Sequence, residues 1–346
     1  MRNRLIAITA LTALALTACG TTGSETPQTL SLIAHESFAG STDESTFAAF
    51  TEETGIEVEV LSSEDAGTLV NEAALTKGNP LADVLFGVDD TFLSRALDEE
   101  IFEPFEPANI DVVYPDLRVE GDPVVPIDYG DVCFNYDKAW FEESALGIPD
   151  ELEDMTDPEI ARLVTVEHPA TSSPGLAFML ATVDTFGEPG WLDWWSAMRD
   201  GGIDIAPDWD SAYYGKFTRY GGDRPIVLSY ASSPPAEVIF ADEPLDEAPT
   251  GVIEAGCYRQ VEYAGVLAGT EYPEAAGQLI EFMLAPEFQE TIPLTWFVFP
   301  ANQEVQLPQE FVEHTTIPES PTRLGYDVIA ENRDRWIDEW IEVMEG

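Results

Sequence analysis

Positive charge is what this chain has least of. Its 346 residues carry 15 Lys+Arg against 66 Asp+Glu, a formal net charge of −51. Lysine occurs only at Lys77, Lys138 and Lys216. Nucleic acid and anionic membrane both require basic patches, so both are poor partners. Histidine is equally scarce. His35, His168 and His314 are the three, and none lies near Cys or acids at zinc-ligand spacing, so no metal site is expected. There is no G-x-S-x-G elbow, no P-loop and no dinucleotide glycine pattern. Carboxylate pairs abound, but among 66 acids any pair arises by chance. Catalysis therefore has no support, and neither an enzyme nor a cofactor is expected.

The acids are spread along the chain rather than gathered in a tail, which reads as a solvated surface. Such a surface repels itself at low ionic strength and is screened by salt. This points to a host in salty surroundings. Stability should fall on dialysis into low salt; an unchanged thermal midpoint would refute this reading.

The N-terminus is the most specific signal. Arg2 and Arg4 precede an apolar run over 5–16, followed by Leu16-Thr17-Ala18-Cys19-Gly20. A charged start, a short apolar segment and small residues at a cut site read as a secretory signal over 1–18. The ending resembles a bacterial lipobox, which implies lipidation of Cys19 and an exported protein tethered to the membrane by that lipid alone. Residues 19–28 have linker composition. Two cysteines remain, Cys133 and Cys257. In an exported protein such a pair is expected to be bridged, with two separate buried thiols as the alternative.

A length of 346 residues exceeds what one core usually organises, so two lobes are expected. Residues 29–34, 56–61 and 82–88 read as strands and 68–77 as a helix. Ser41-Thr42-Asp43 is expected to cap another helix, with Phe47 and Phe50 inward and Gly55 as its stop. This alternation begins a doubly wound parallel sheet, with the His35 segment and the Asp65 loop at one edge. Residues 124–137 and 256–267 read as long strands crossing between lobes. The last helix carries Trp336, Ile337, Trp340, Ile341 and Met344 on one face, most simply core.

Residues 208–234 concentrate the candidate chemistry. Trp209, Tyr213, Tyr214 and Tyr230 stand beside the turn Ala231-Ser232-Ser233-Pro234. A strand ending in such a turn offers hydroxyls and free N–H groups where open α/β sheets bind ligands. Flat aromatics next to them suit a small, flat cation. Taken singly, a Trp or Tyr is more often core than site. Ser172 and Ser173 open a helix, where free N–H groups hold phosphate or carboxylate, although a plain cap is the commoner use. Tyr213-Tyr214 is the one foothold for ferric iron.

Nine segments in order carry a family resemblance: HESFA (35–39), SEDAGTLVNEA (63–73), ADVLFGVDD (82–90), VPIDYGDVCFNYDK (125–138), TSSPGLAFML (171–180), DWDSAYYGKF (208–217), IVLSYASSP (226–234), YRQVEYAG (258–265) and the 292–300 loop. Together the chain resembles the thiamine-binding proteins of bacterial ABC importers, within the two-lobed solute-binding class. The resemblance implies an α/β, periplasmic-binding-protein-like (type II) fold. Its lobes would be 29–128 plus 265–346, and 129–264. It implies a monomer that takes thiamine or its phosphates in the interlobe cleft and passes them to membrane permease subunits. Ferric iron or a polyamine is the alternative ligand, and an exported enzyme the alternative class. The implied contacts are His35, Asp65, Ala66, Ser172, Ser173, Trp209, Tyr230, Ala231, Ser232, Ser233, Pro234 and Trp296. The sequence departs from the family where His35 replaces a Tyr, Thr42 a Trp and Ala236 a Tyr. In the late loop either Trp296 or Phe297 faces the ligand.

Overall fold

The structure is a computed structural model that describes residues 27–346 apart from 120, 122 and 242. The signal segment and Cys19 lie outside the described residues. Nine strands form one sheet: β1 (Thr29–His35), β2 (Glu57–Ser63), β3 (Val84–Asp89), β4 (Val124–Asp137), β5 (Val164–Glu167), β6 (Asp204–Ala206), β7 (Ile226–Tyr230), β8 (Thr250–Val266) and β9 (Phe299–Pro300). Their order is β2-β1-β3-β8-β4-β7-β5-β6, with β9 on β4.

β1 lies between β2 and β3, parallel to both, and helix Ala66–Leu75 makes the crossover from β2 to β3. β3 is buried along its whole length, as a strand covered on both faces must be. The two long strands, β4 and β8, run antiparallel from the Val124–Gly265 pair to the Asp137–Thr250 pair. β3 joins one end of β8, and β7 joins the opposite end of β4. Two groups of strands thus share only β4 and β8, which gives two lobes joined by crossing strands. β8 starts at Thr250, earlier than the 256–267 reading, because 250–253 complete the ladder with 134–137.

The helix after β1 differs from the sequence reading. It begins at once, as Glu36–Ser41, because the His35 side chain caps it by accepting from the Phe38 N–H at 3.3 Å. Ser41 is used inside that helix, its hydroxyl donating to the Ser37 carbonyl at 2.8 Å. Asp43 therefore holds a turn, accepting from the Ser45 N–H at 2.7 Å, and the next helix starts only at Ala48. Gly55 ends that helix at φ 75°, with its N–H bonded to the Thr51 carbonyl.

The final helix, Tyr326–Glu345, buries Trp336, Ile337 and Trp340. Although 265–346 reads as part of the first lobe, this helix touches both. Arg333 lies over the Phe92 ring, while Trp340 packs edge-on against Trp195 at 5.4 Å. Cys133 and Cys257 are joined by a disulfide between β4 and β8, where the register slips next to Val132.

Candidate functional site

β1, β2 and β7 deliver their carboxyl ends to one crevice. β1 ends in His35, β2 is followed by Asp65, and β7 ends in Tyr230. The first two are tied by the Glu36 N–H donating to the Glu64 carbonyl at 3.0 Å. A cavity of about 1020 Å³ opens between these ends, helix Trp209–Tyr213 and the 294–298 segment. Its wall carries the carboxylates of Glu36, Asp65, Asp210, Glu237, Glu243 and Glu262, against the single guanidinium of Arg219. That guanidinium already faces Glu237, 3.8 Å from its Oε2.

Two glycines make room for the wall. A Cβ at Gly87, whose φ is +96°, would stand 2.3 Å from the His35 ring. One at Gly130 would stand 2.9 Å from the Tyr230 ring. Both rings can lie against the strands only because those positions lack side chains.

The aromatic face is braced by hydroxyls. Trp209 Nε1 donates to Ser229 Oγ at 3.0 Å, and Ser229 Oγ meets Ser233 Oγ at 2.9 Å. The Tyr230 N–H donates to Ser233 Oγ at 3.3 Å, so the 231–234 turn fixes the indole. Trp209 also stacks on Tyr213, with centroids 4.8 Å apart. The Tyr230 hydroxyl donates to Gln260 Oε1 at 3.1 Å. Trp296 packs edge-on against Phe38 at 4.9 Å. Trp296 and Phe297 both line the cavity; Phe297 adopts φ 57° and meets Phe240 edge-on at 5.5 Å.

The floor is a chain of titratable groups. His35 Nε2 lies 3.3 Å from Glu262 Oε1, an ion-pair distance. Burial lowers the imidazole pKa, but Glu262, Asp65 and Asp210 more than offset this, and the net shift is upward. Glu262 faces Asp128 across the β4–β8 ladder. Burial, and then the Glu262 charge, push the Asp128 pKa well above its ordinary value. Asp65 caps helix Ala66–Leu75, accepting from the Ala66 N–H at 2.8 Å. Burial raises its pKa, with the Ser172 hydroxyl and His35 as partial counterweights. Asp210 and Glu36 are raised too, by burial first and then by neighbouring carboxylates.

Of the residues singled out from sequence, His35, Asp65, Ser173, Trp209, Tyr230, Ser233 and Trp296 form the wall. Ala66, Ser172, Ala231, Ser232 and Pro234 are buried and not part of it. Ala66, for example, packs into the main core. Sequence reading missed Glu262, Glu237, Asp210, Tyr220 and Phe240. The Tyr213 and Tyr220 hydroxyls both donate to Glu237 Oε1, at 3.0 and 2.9 Å. Tyr213, half of the sequence foothold for iron, thus has its hydroxyl engaged by a carboxylate.

Two α/β lobes on crossing strands, with a ligand-sized cavity between them, define a two-lobed solute-binding protein of the type II periplasmic class. The chain belongs to the family described as "Bacterial extracellular solute-binding protein", whose model matches residues 79–332. It is 30% identical over 292 residues to the "Thiamine-binding periplasmic protein" of Salmonella typhimurium, covering 84% of this chain and 85% of that one. A solved "Periplasmic thiamin binding protein" superposes with TM-score 0.81 at 27% identity, covering 91% of this chain and 96% of the other. Iron-bound HitA from Pseudomonas aeruginosa shares the fold, with TM-score 0.74 at 20% identity over 92% of this chain and 99% of the other. The family is extracellular and its members bind solutes, so this is an exported binding protein. No helix among the described residues is long and apolar enough to cross a membrane.

Proposed function

We propose that this protein captures thiamine, or thiamine phosphates, in the interlobe cavity and delivers it to the membrane subunits of an ABC importer. The observation that carries this is the cavity wall, where six carboxylates and one paired guanidinium surround the rings of Trp209, Tyr230 and Trp296. A flat, permanent cation such as thiazolium gains about 1–2 kcal/mol from ring faces once desolvated. Asp65 and Glu262 act as counter-charges. The hydroxyl and N–H of Ser173, at the start of helix Ser173–Phe186, take the hydroxyethyl end or its phosphate.

Residues 29–128 plus 265–346 and residues 129–264 act as the two lobes, closing on β4 and β8 as hinge strands. Cys19 carries the lipid anchor and the protein works as a monomer. Thiamine titration of the mature protein in high salt, followed by tryptophan fluorescence and calorimetry, tests the reading. Saturable one-to-one binding at micromolar or tighter supports it; a folded protein that does not bind ends it. Trp209→Ala and Tyr230→Ala should each weaken binding by about 1–3 kcal/mol without unfolding the chain. Unchanged affinity in both variants would remove this pocket as the site.

A further inference from the structure

Away from the cleft, two guanidiniums meet in a second pocket, of about 350 Å³, lined by Asn71, Phe92, Arg95, Ala170 and Arg333 among others. Arg333 comes from the final helix and Arg95 from helix Leu93–Asp98. Ala170 comes from beyond β5, so the pocket lies in the crevice between the two groups of strands. Its neighbour Thr171 accepts from the Gly67 N–H at 2.9 Å, a hydrogen bond that spans this crevice.

Arg333 is only 6% exposed and lies 4.5 Å over the Phe92 ring. Its Nε has no hydrogen-bond partner among the described residues. Nη1 donates to Asp334 at 2.6 Å, but the Asp334 side chain is 80% exposed, so water screens that pair. Arg95 donates from Nε to the neutral Asn71 Oδ1 at 3.1 Å and has no carboxylate at ion-pair distance among the described residues. Nine other cationic side chains of this acid-rich chain are paired, Arg259 with Asp131 and Arg323 with Asp90 among them. Arg95 thus has no carboxylate partner among the described residues, and Arg333 has only the exposed Asp334. Burial lowers the Arg333 pKa, Asp334 partly offsets this, and the like charge of Arg95 lowers it further. A buried cation in this state calls for an anion.

We propose that this pocket binds a small organic carboxylate between Arg95 and Arg333. A planar carboxylate matches the guanidinium fork, and Phe92 and Ala170 offer an apolar wall to a short hydrocarbon tail. Asp334 and Asp338 also line the pocket, which disfavours a dianion. The inference does not rest on the identity of the cleft ligand.

Calorimetric titration of the mature protein with propionate, at constant ionic strength in potassium chloride, tests it. Saturable one-to-one binding is expected. Arg95→Gln, at a half-buried position, should keep the fold and raise the propionate Kd roughly tenfold or more. Arg333→Gln should do the same where it folds. No saturation, or wild-type affinity in Arg95→Gln, would overturn the site. Displacement of propionate by equimolar sulfate would overturn the choice of a carboxylate.

Discussion

Opening the Cys133–Cys257 bridge should lower the unfolding free energy by about 4–5 kcal/mol. The bond joins residues 124 apart in sequence, and the loop it closes contains nearly all of the second group of strands. A loop of that length loses much conformational freedom in the unfolded chain when its ends are tied. The bond sits between β4 and β8, where the ladder slips next to Val132, and it packs against Ala231. Ala231 in turn is held by its N–H donating to the Asp131 carbonyl at 2.8 Å. Loss of the bond should therefore loosen the turn that braces Trp209 as well as the fold. Urea unfolding of the mature protein with and without reductant, and of the Cys133→Ala/Cys257→Ala double variant, measures the effect. A difference below about 1 kcal/mol would mean that the unfolded chain gains little freedom from the missing link.

How much of this was legible in the sequence depends on the range of the interaction. β4 was readable to its end residues because Val124–Asp137 is one strand-like segment with Asp128-Tyr129-Gly130 in its middle. Tyr230 was readable as part of the cavity wall because an aromatic next to a Ser-Ser-Pro turn is a local pattern. Glu262 was not. It is one of 66 acids, and its meaning comes from lying opposite Asp128 in the β4–β8 register and beside His35. Nothing within ten residues of it announces that. The same holds for Glu237, whose role is to gather the hydroxyls of Tyr213 and Tyr220. The helix at 36–41 was missed for a local reason: His35 acts as its cap, and histidine is an uncommon one. Ser172 and Ser232 were placed in the site by motif, but which hydroxyl of an adjacent pair faces a cavity is decided by the helix or turn that follows.

Stability should fall as pH rises from about 5 to 8, the reverse of a protein held by depressed carboxylates. Asp90 has its pKa raised from 3.8 to about 6, mainly by burial that Arg323 only partly offsets. A carboxyl whose folded pKa is raised stabilises while protonated, and that contribution is lost as pH climbs from its unfolded value through its folded one. For Asp90 the whole loss is on the order of 3 kcal/mol, of which about 1 kcal/mol or less falls between pH 5.5 and 8.0. Asp89, Asp128 and Glu167 are raised well above the ordinary range, by burial first, and carry the same sign. His35 does too, because a raised imidazole stabilises fully below 6.5 and loses that contribution as pH rises through its folded pKa. Among the buried carboxyls, Glu262 opposes them. Burial pushes it up, but His35 and the Asp128 hydrogen bond bring it below 4.5 in net, so its contribution disappears only in stronger acid. Urea midpoints at pH 5.5 and 8.0, both in high salt to screen the surface charge, should show the lower stability at pH 8.0. Glu262→Gln should shrink the difference, since the charge that faces Asp128 and His35 is gone. An equal or higher midpoint at pH 8.0 would mean that these buried carboxyls ionise freely in the folded protein. A bound cation works in the opposite direction, because it favours the ionised form of Asp65, Asp210 and Glu36. Thiamine should therefore raise the midpoint more at pH 8.0 than at 5.5, which makes the acidic wall a cleft that is least stable empty where it binds best.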